Sequence, residues 1–347
     1  MAIRLIDVAE RAGVSVRTAS NVVNDYPHVK ASTRAKVQAA INDLGYRPNI
    51  AARQLKYGRS GFIALAIPQI DSPYFAELAQ RFTEIARDLG WIALMDVTNG
   101  SRAEEQVVLD GMKGHAVDGV IFSPLSLRAA DFDGRDAQTP MVLLGERAVP
   151  DGYDHVAVDS VSASRAMVEH LLSLGRRRIA VIGHEAKDGT ASVRLQGYLA
   201  ALQAAGMEHD PDLVVGVPAY LRAEGRAAMQ QLLALPERPD AVFCFNDLMA
   251  VGALAACREA GVRIPEDIAV AGFDAIAEGA FTEPPLTTVQ PDVDLLAREA
   301  LRLVRARIEG QAGPAERVQV PWKLVVRAST TGWTQHRTFG GNGRLGA

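Results

Sequence analysis

The chain has 347 residues, 48% of them hydrophobic, enough to bury a large core and to form two or three compact units. No apolar run reaches the roughly eighteen residues that a spanning helix needs. The opening "MAIRLIDVAER" places Arg4, Asp7, Glu10 and Arg11 where a secretory leader would be apolar.

The net charge of −4 is unevenly spread: residues 1–60 hold ten Lys and Arg against four Asp and Glu, and the rest holds 27 against 37. A basic head on an acidic body is expected when one end meets a polyanion and the remainder must not. These features predict a cytoplasmic protein with a nucleic-acid partner and no membrane segment. Cys244 and Cys257 lie in apolar settings ("VFCFN", "ALAACREAG") without metal or redox spacing, so buried thiols are expected, with no disulfide and no metal.

In chain order, "VAERAGVSVRTASNVVN" (8–24) halts a helical pattern at Gly13 and restarts it behind Ser15. Ala9 is small enough for close helix contact, Gly13 permits the positive φ of a sharp corner, and Ser15 can cap a second helix. Val14, Ala19, Val22 and Val23 supply an inward face. Val16, Arg17, Ser20, Asn21 and Asn24 supply an outward one, with side chains suited to base edges and phosphates. A third helix from about Ser32 to Leu44, closed by Gly45, completes a small bundle. This is a helix-turn-helix whose recognition helix begins near Val16. Residues 46–60 read as a linker in which "YRPN" makes a stiff bend.

From Phe62 onward apolar runs such as "FIALAIP", "WIALMDV", "GVIFSP" and "PMVLLG" alternate with amphipathic segments. After a Pro/Gly/Asp loop the pattern resumes with "HVAVD", "RIAVIG", "LVVGV", "AVFCFN" and "IAVAGFD". Continuous apolar strands separated by helices predict an α/β fold: two doubly wound parallel-sheet subdomains, with ligands at the carboxyl ends of the strands. The closing "TQHRTFGGNGRLGA" has no periodicity and predicts a disordered tail.

The ordered motifs "DVAERAGVS", "VVN", "TRAKV", "LGYRPN", "AARQL", "YFAEL", "DGVIFSP", "RLQGY", "FNDLMAVGAL", "GFD" and "LTTVQ" resemble the LacI/GalR transcriptional repressors over residues 3–334. The resemblance implies a head (1–46), a hinge helix and linker (47–60), and two effector-binding subdomains of the periplasmic-binding-protein type. These comprise 61–158 with about 290–320 and 159–289 with about 321–334, followed by the tail (335–347). It further implies a homodimer or tetramer on a near-palindromic operator, with a small-molecule effector altering DNA affinity.

For DNA contact the resemblance implies Ser15, Val16, Arg17, Thr18, Ser20, Asn21, Asn24, His28, Lys30 and Thr33 in the head. In the hinge it implies Asn49, Ala52, Leu55 and Lys56, with Leu55 as a minor-groove wedge. "NIAARQLK" is too short to be a stable helix alone, so DNA and a partner chain would complete it. Two departures matter. Asn21 stands where many relatives carry arginine, which favours adenine over guanine as its partner. Lys30 replaces a common serine, which moves the expected cap of the third helix to Ser32.

For the effector, the resemblance points to Thr190, Arg194, Tyr220, Asn246 and Asp274 in one subdomain, and to Asp71, Tyr74, Phe75 and Glu146 in the other. A carboxylate or guanidinium to hold hydroxyls and an aromatic face to cover a ring suit a sugar. Asp188 stands where purine-responsive relatives carry arginine, which favours a neutral saccharide; a nucleoside or purine is the alternative. No cofactor and no catalytic residue is expected, since the seven histidines are scattered and no GxSxG motif appears.

Overall fold

The computed structural model describes residues 3–23, 26–46, 59–110, 112, 117–134, 139–146, 150–184, 189–332 and 338–340. The chain divides into two units, Met1–Ser60 and Gly61–Ala347.

In the first unit, three helices surround a core of Val8, Ala9, Ala19, Val22, Val37 and Ala40: α1 (Leu5–Ala12), α2 (Val16–Val23) and α3 (Ala31–Leu44). The corner forms as the sequence requires. Gly13 adopts φ +65°, its N–H bonds to Glu10 O at 3.2 Å, and Val14 N–H returns to Ala9 O at 3.0 Å. Ser15 Oγ then accepts the Thr18 N–H at 3.1 Å and caps α2. Gly45, at φ +63°, ends α3. The cap expected at Ser32 does not form. α3 already begins at Ala31 behind Lys30, and the Lys30 carbonyl takes the first helical N–H groups, so Ser32 lies inside the helix.

The second unit is built from β1 (Phe62–Ile67), α4 (Pro73–Asp88), β2 (Ile92–Val97), α5 (Arg102–Leu109), β3 (Gly119–Phe122), β4 (Met141–Leu144), β5 (Asp154–Val158), α6 (Ser160–Ser173), β6 (Ile179–His184) and α7 (Thr190–Ala204). It continues with β7 (Val214–Val217), α8 (Arg222–Leu233), β8 (Ala241–Cys244), α9 (Asp247–Glu259), β9 (Ala269–Phe273), β10 (Thr287–Pro291), α10 (Val293–Ile308), β11 (Arg317–Val320), β12 (Trp322–Val325), α11 (Ala328–Thr331) and β13 (Thr338–Gly340).

Two sheets result. The first runs β2-β1-β3-β4-β5-β11 and is parallel throughout. The second runs β7-β6-β8-β9-β10-β12-β13. Each sheet repeats a doubly wound order whose switch point opens at the carboxyl ends of its strands. The chain passes between the lobes at Val158–Ser160, Pro291–Val293 and Val320–Trp322, because α10 and β11 return to the first lobe while β12 belongs to the second. The second sheet is not purely parallel, since β12 pairs antiparallel with β10 and with β13. β11 runs parallel to β5 and so ends at the cleft; β12 starts there one residue later and runs away from it, against the strands of the second sheet that end at the cleft. β13 also overturns part of the expected disordered tail; the rest of that tail lies outside the described residues.

Most strands are buried on both faces, as their apolar runs require, and Cys244 and Cys257 are buried free thiols. β2, β7, β11 and β12 are less covered, β2 most of all. β2 is an edge strand on which Ile92, at 60% exposure, Leu94 and Met95 are exposed. In the second lobe α8 and α9 approach closely through Gly225 and Gly252; a Cβ on Gly252 would stand 2.0 Å from Arg222 O. Gly252→Ala therefore has to push the helices apart. It should lower the unfolding free energy by about 1–3 kcal/mol, measured by urea denaturation, and an unchanged midpoint would show that the pair is not tightly packed.

Candidate functional site

Two surfaces carry functional groups, one on each unit. On the head, α2 presents Val16, 43% exposed, with Arg17 exposed beside it and Asn21 half-buried. Ser15 and Thr18 share a 2.8 Å hydroxyl contact at the N-terminus of α2, where backbone N–H groups favour an anion. His28 and Lys30 are exposed and Thr33 is half-buried; the Tyr26 and His28 rings meet edge to face at 5.5 Å. Ser20 is a correction. It is only 6% exposed, because a two-turn helix gripped by two others buries the stripe that also holds Ala19. Ser20 is a packing residue, not part of the outward face. Asn24, Asn49, Ala52, Leu55 and Lys56 lie outside the described residues.

On the second unit, a cavity of about 380 Å³ opens between the lobes at the strand ends. Tyr74 and Phe75, at the start of α4, enter it with their rings edge to face 5.2 Å apart. Glu146 follows β4, Thr190 and Arg194 lie on α7, Tyr220 follows β7 and Asp274 follows β9.

Arg194 is the buried centre. Its guanidinium lies 3.4 Å over the Phe273 ring. Nη1 donates to Phe245 O and stands 3.7 Å from Asp274 Oδ1, and Nη2 stands 3.3 Å from Glu146 Oε1. Ser160 Oγ also donates to Glu146 Oε1. Glu146 Oε2 and Arg194 Nε are buried without a hydrogen-bond partner among the described residues. An acceptor and a donor thus remain on one buried ion pair, a combination suited to ligand hydroxyls.

Burial disfavours the Arg194 charge, but Glu146 and Asp274 outweigh it and hold the guanidinium protonated. Burial raises Asp274 most; Arg194 opposes and Glu146 adds to the rise, leaving it at about 7. Near neutrality Asp274 can donate as well as accept. Burial, then Asp274 and Glu146, push the Tyr74 phenol up, so it stays neutral.

Asp71 and Asn246 do not line the cavity. Asp71 is exposed in the loop before α4, ahead of the helical turn that aims Tyr74 and Phe75 inward. Asn246 caps α9: Oδ1 accepts the Met249 N–H at 2.9 Å and Nδ2 donates to Tyr220 O at 3.3 Å, so it reaches the cleft only through Tyr220. The neighbouring Asp247, not anticipated from the sequence, holds the strand-end turn that presents Asp274. Asp247 accepts the Ile276 N–H at 2.9 Å and the Thr288 hydroxyl at 2.7 Å, while Thr288 Oγ1 accepts the Ala275 N–H at 3.2 Å. Burial, reinforced by Asp274, raises Asp247 well above the carboxylate range. The turn needs such support because Asp274 and Ala275 both have positive φ, +105° and +54°. An acid at the first position after a helix cap, in "FND", was the available signal.

With this geometry in view, the relationships of the chain are plain. Residues 4–49 match the family model described as bacterial regulatory proteins, lacI family, and residues 168–330 match a periplasmic binding protein-like domain. The chain belongs to the LacI family of transcriptional regulators. It is 33% identical to the HTH-type transcriptional repressor CytR of Escherichia coli, over 93% of this chain and 95% of that one. It is similar to the lac repressor dimer bound to operator and an anti-inducer (28% identity, TM-score 0.84, covering 95% and 99%). It is also similar to the regulator CelR in complex with cellobiose (33%, TM-score 0.70, covering 94% and 99%).

The raised Asp274 sets a pH dependence. An acid whose folded pKa lies above its unfolded value binds more protons when folded, so its contribution is complete below about pH 4 and is lost as pH rises through about 7. Asp274→Asn should flatten the fall in melting temperature over that window, removing on the order of a few kcal/mol of pH-dependent destabilisation. Parallel melting-temperature curves for the two proteins would remove Asp274 as the titrating group.

Proposed function

We propose that this LacI-family regulator is a repressor that binds a near-palindromic operator as a homodimer and is controlled by a neutral sugar held between its lobes. The observation that carries the ligand reading is the unfilled acceptor of Glu146 beside the unfilled donor of Arg194, in a cavity walled by Tyr74, Phe75 and Tyr220. Adjacent hydroxyls of a sugar satisfy both groups while an aromatic ring covers its apolar face. The cellobiose complex of CelR supports this choice. No cofactor enters the scheme, and the cleft binds without turnover.

For DNA, exposed Arg17 and Val16 at the start of a capped helix supply a guanidinium for guanine and methyl groups for thymine. Asn21, on the same helix, is the candidate adenine reader. The basic surplus of residues 1–60 supplies phosphate affinity, and a DNA partner supports a cytoplasmic reading. Two open apolar areas support a dimer: the β2 edge with Ile92, Leu94 and Met95, and the loop holding Phe281, 88% exposed, on the second lobe.

Selection of bound duplexes from a random pool tests the DNA reading: the recovered sites should be inverted repeats. Arg17→Ala should relax one base pair in each half-site at a cost of about 1–3 kcal/mol. Equal weakening on all sequences would make Arg17 a phosphate contact only.

A thermal-shift panel of sugars and nucleosides tests the cleft, since only a ligand of the native state raises stability by mass action. Sugars should raise the melting temperature, and Arg194→Ala should abolish that rise while leaving operator affinity within about tenfold. A response to nucleosides alone would transfer the site to the alternative class.

A further inference from the structure

Glu105 stands midway along α5 and is 0% exposed. Its Oε1 accepts the Leu125 N–H at 2.7 Å, and its Oε2 accepts those of Ser126 and Leu127 at 2.8 and 2.9 Å. Three successive N–H groups thus converge on one buried carboxylate. The same stretch is held twice more: Arg102 Nη1 donates to Ser126 O at 3.3 Å, and Ser126 Oγ donates to Gly100 O. Pro124, Leu125, Ser126 and Gly100 all line the cavity between the lobes.

A loop leaving a strand end has no ladder to fix its N–H groups, and a buried carboxylate is costly unless donors surround it. An apolar residue could fill the space of Glu105 but could not aim three consecutive N–H vectors at one point. The carboxylate therefore selects one backbone shape for the loop after β3. We propose that Glu105 is a positioning residue of the cleft, shaping the Ser123–Ser126 wall against which the effector seats and tying that wall to α5. This rests on the cleft being the effector site.

The test uses the full chain with Glu105→Gln, which keeps the side-chain size but points an amide N–H₂ at a backbone donor. Hydrogen exchange at Leu125–Leu127 should rise at least about tenfold, while β1 and α4 amides keep their protection. Across glucose, galactose, cellobiose, maltose and lactose, the dissociation constant of whichever sugar binds the wild type should rise at least about tenfold, with operator affinity of the sugar-free protein unchanged. Arg102→Ala, at an exposed position, should move both readouts the same way by less, and it carries the test if the first variant does not fold. Unchanged loop exchange, faster loop exchange with unchanged sugar affinity, or equal loosening of β1 and α4 would each overturn the assignment. If none of the five sugars binds the wild type, the saccharide reading falls, and the loop exchange alone decides whether Glu105 shapes the wall.

Discussion

A single buried guanidinium belongs to both lobes of the sensing unit. Arg194 is anchored in the second lobe by the Phe245 carbonyl and the Phe273 ring, and its Nη2 stands by Glu146 at the end of β4 in the first. A buried charge is tolerable only with partners, and here the partners come from different sheets. The relative position of the lobes is therefore part of the solvation of Arg194. Anything that engages Glu146 or Asp274 alters what Arg194 requires of the opposite lobe, and that is a direct route by which occupancy can bias one arrangement over another.

The strand ends bring these groups together, but the strands do not fix them. Each lobe uses a buried acid on a helix to hold the loop that carries its cleft residues: Glu105 binds the wall after β3, and Asp247 binds the turn after β9. The two acids solve the same problem. A loop that must present polar groups inward cannot be stabilised by apolar packing alone, so its backbone is held by hydrogen bonds to a buried acid.

The architecture was legible because its signals are periodic. Apolar runs gave the parallel strands, and Gly13 with Ser15 gave the corner of the head. The failures came where periodicity carries no information. Ser20 looks outward on a helical wheel, yet a bundle this small buries more than one stripe of a two-turn helix. Asn246 and Asp247 are adjacent and both polar; only the structure shows that the first caps a helix while the second reaches Thr288, 41 residues away. Glu105 reads as one acid in a surface helix, since its three donors are backbone groups that no side-chain pattern reveals. Asp71 is separated from the cleft by the helical turn that carries Tyr74 inward, a directional fact that adjacency in sequence hides.

The three passages between the lobes bear on how the molecule is made. The first lobe is encoded in two pieces: β1 through β5, then α10 and β11, with nearly all of the second lobe between them. α10 covers β3, β4 and β5, and β11 completes the sheet beside β5. A nascent chain emerging from the ribosome can therefore close the three-helix head early, but its first lobe must wait, with one flank of its sheet uncovered, until residues beyond Val293 have been translated. A message ending soon after Pro291 would yield a finished head on a body unable to close. Synthesis of this protein releases a DNA-reading end well before it can release a working sensor.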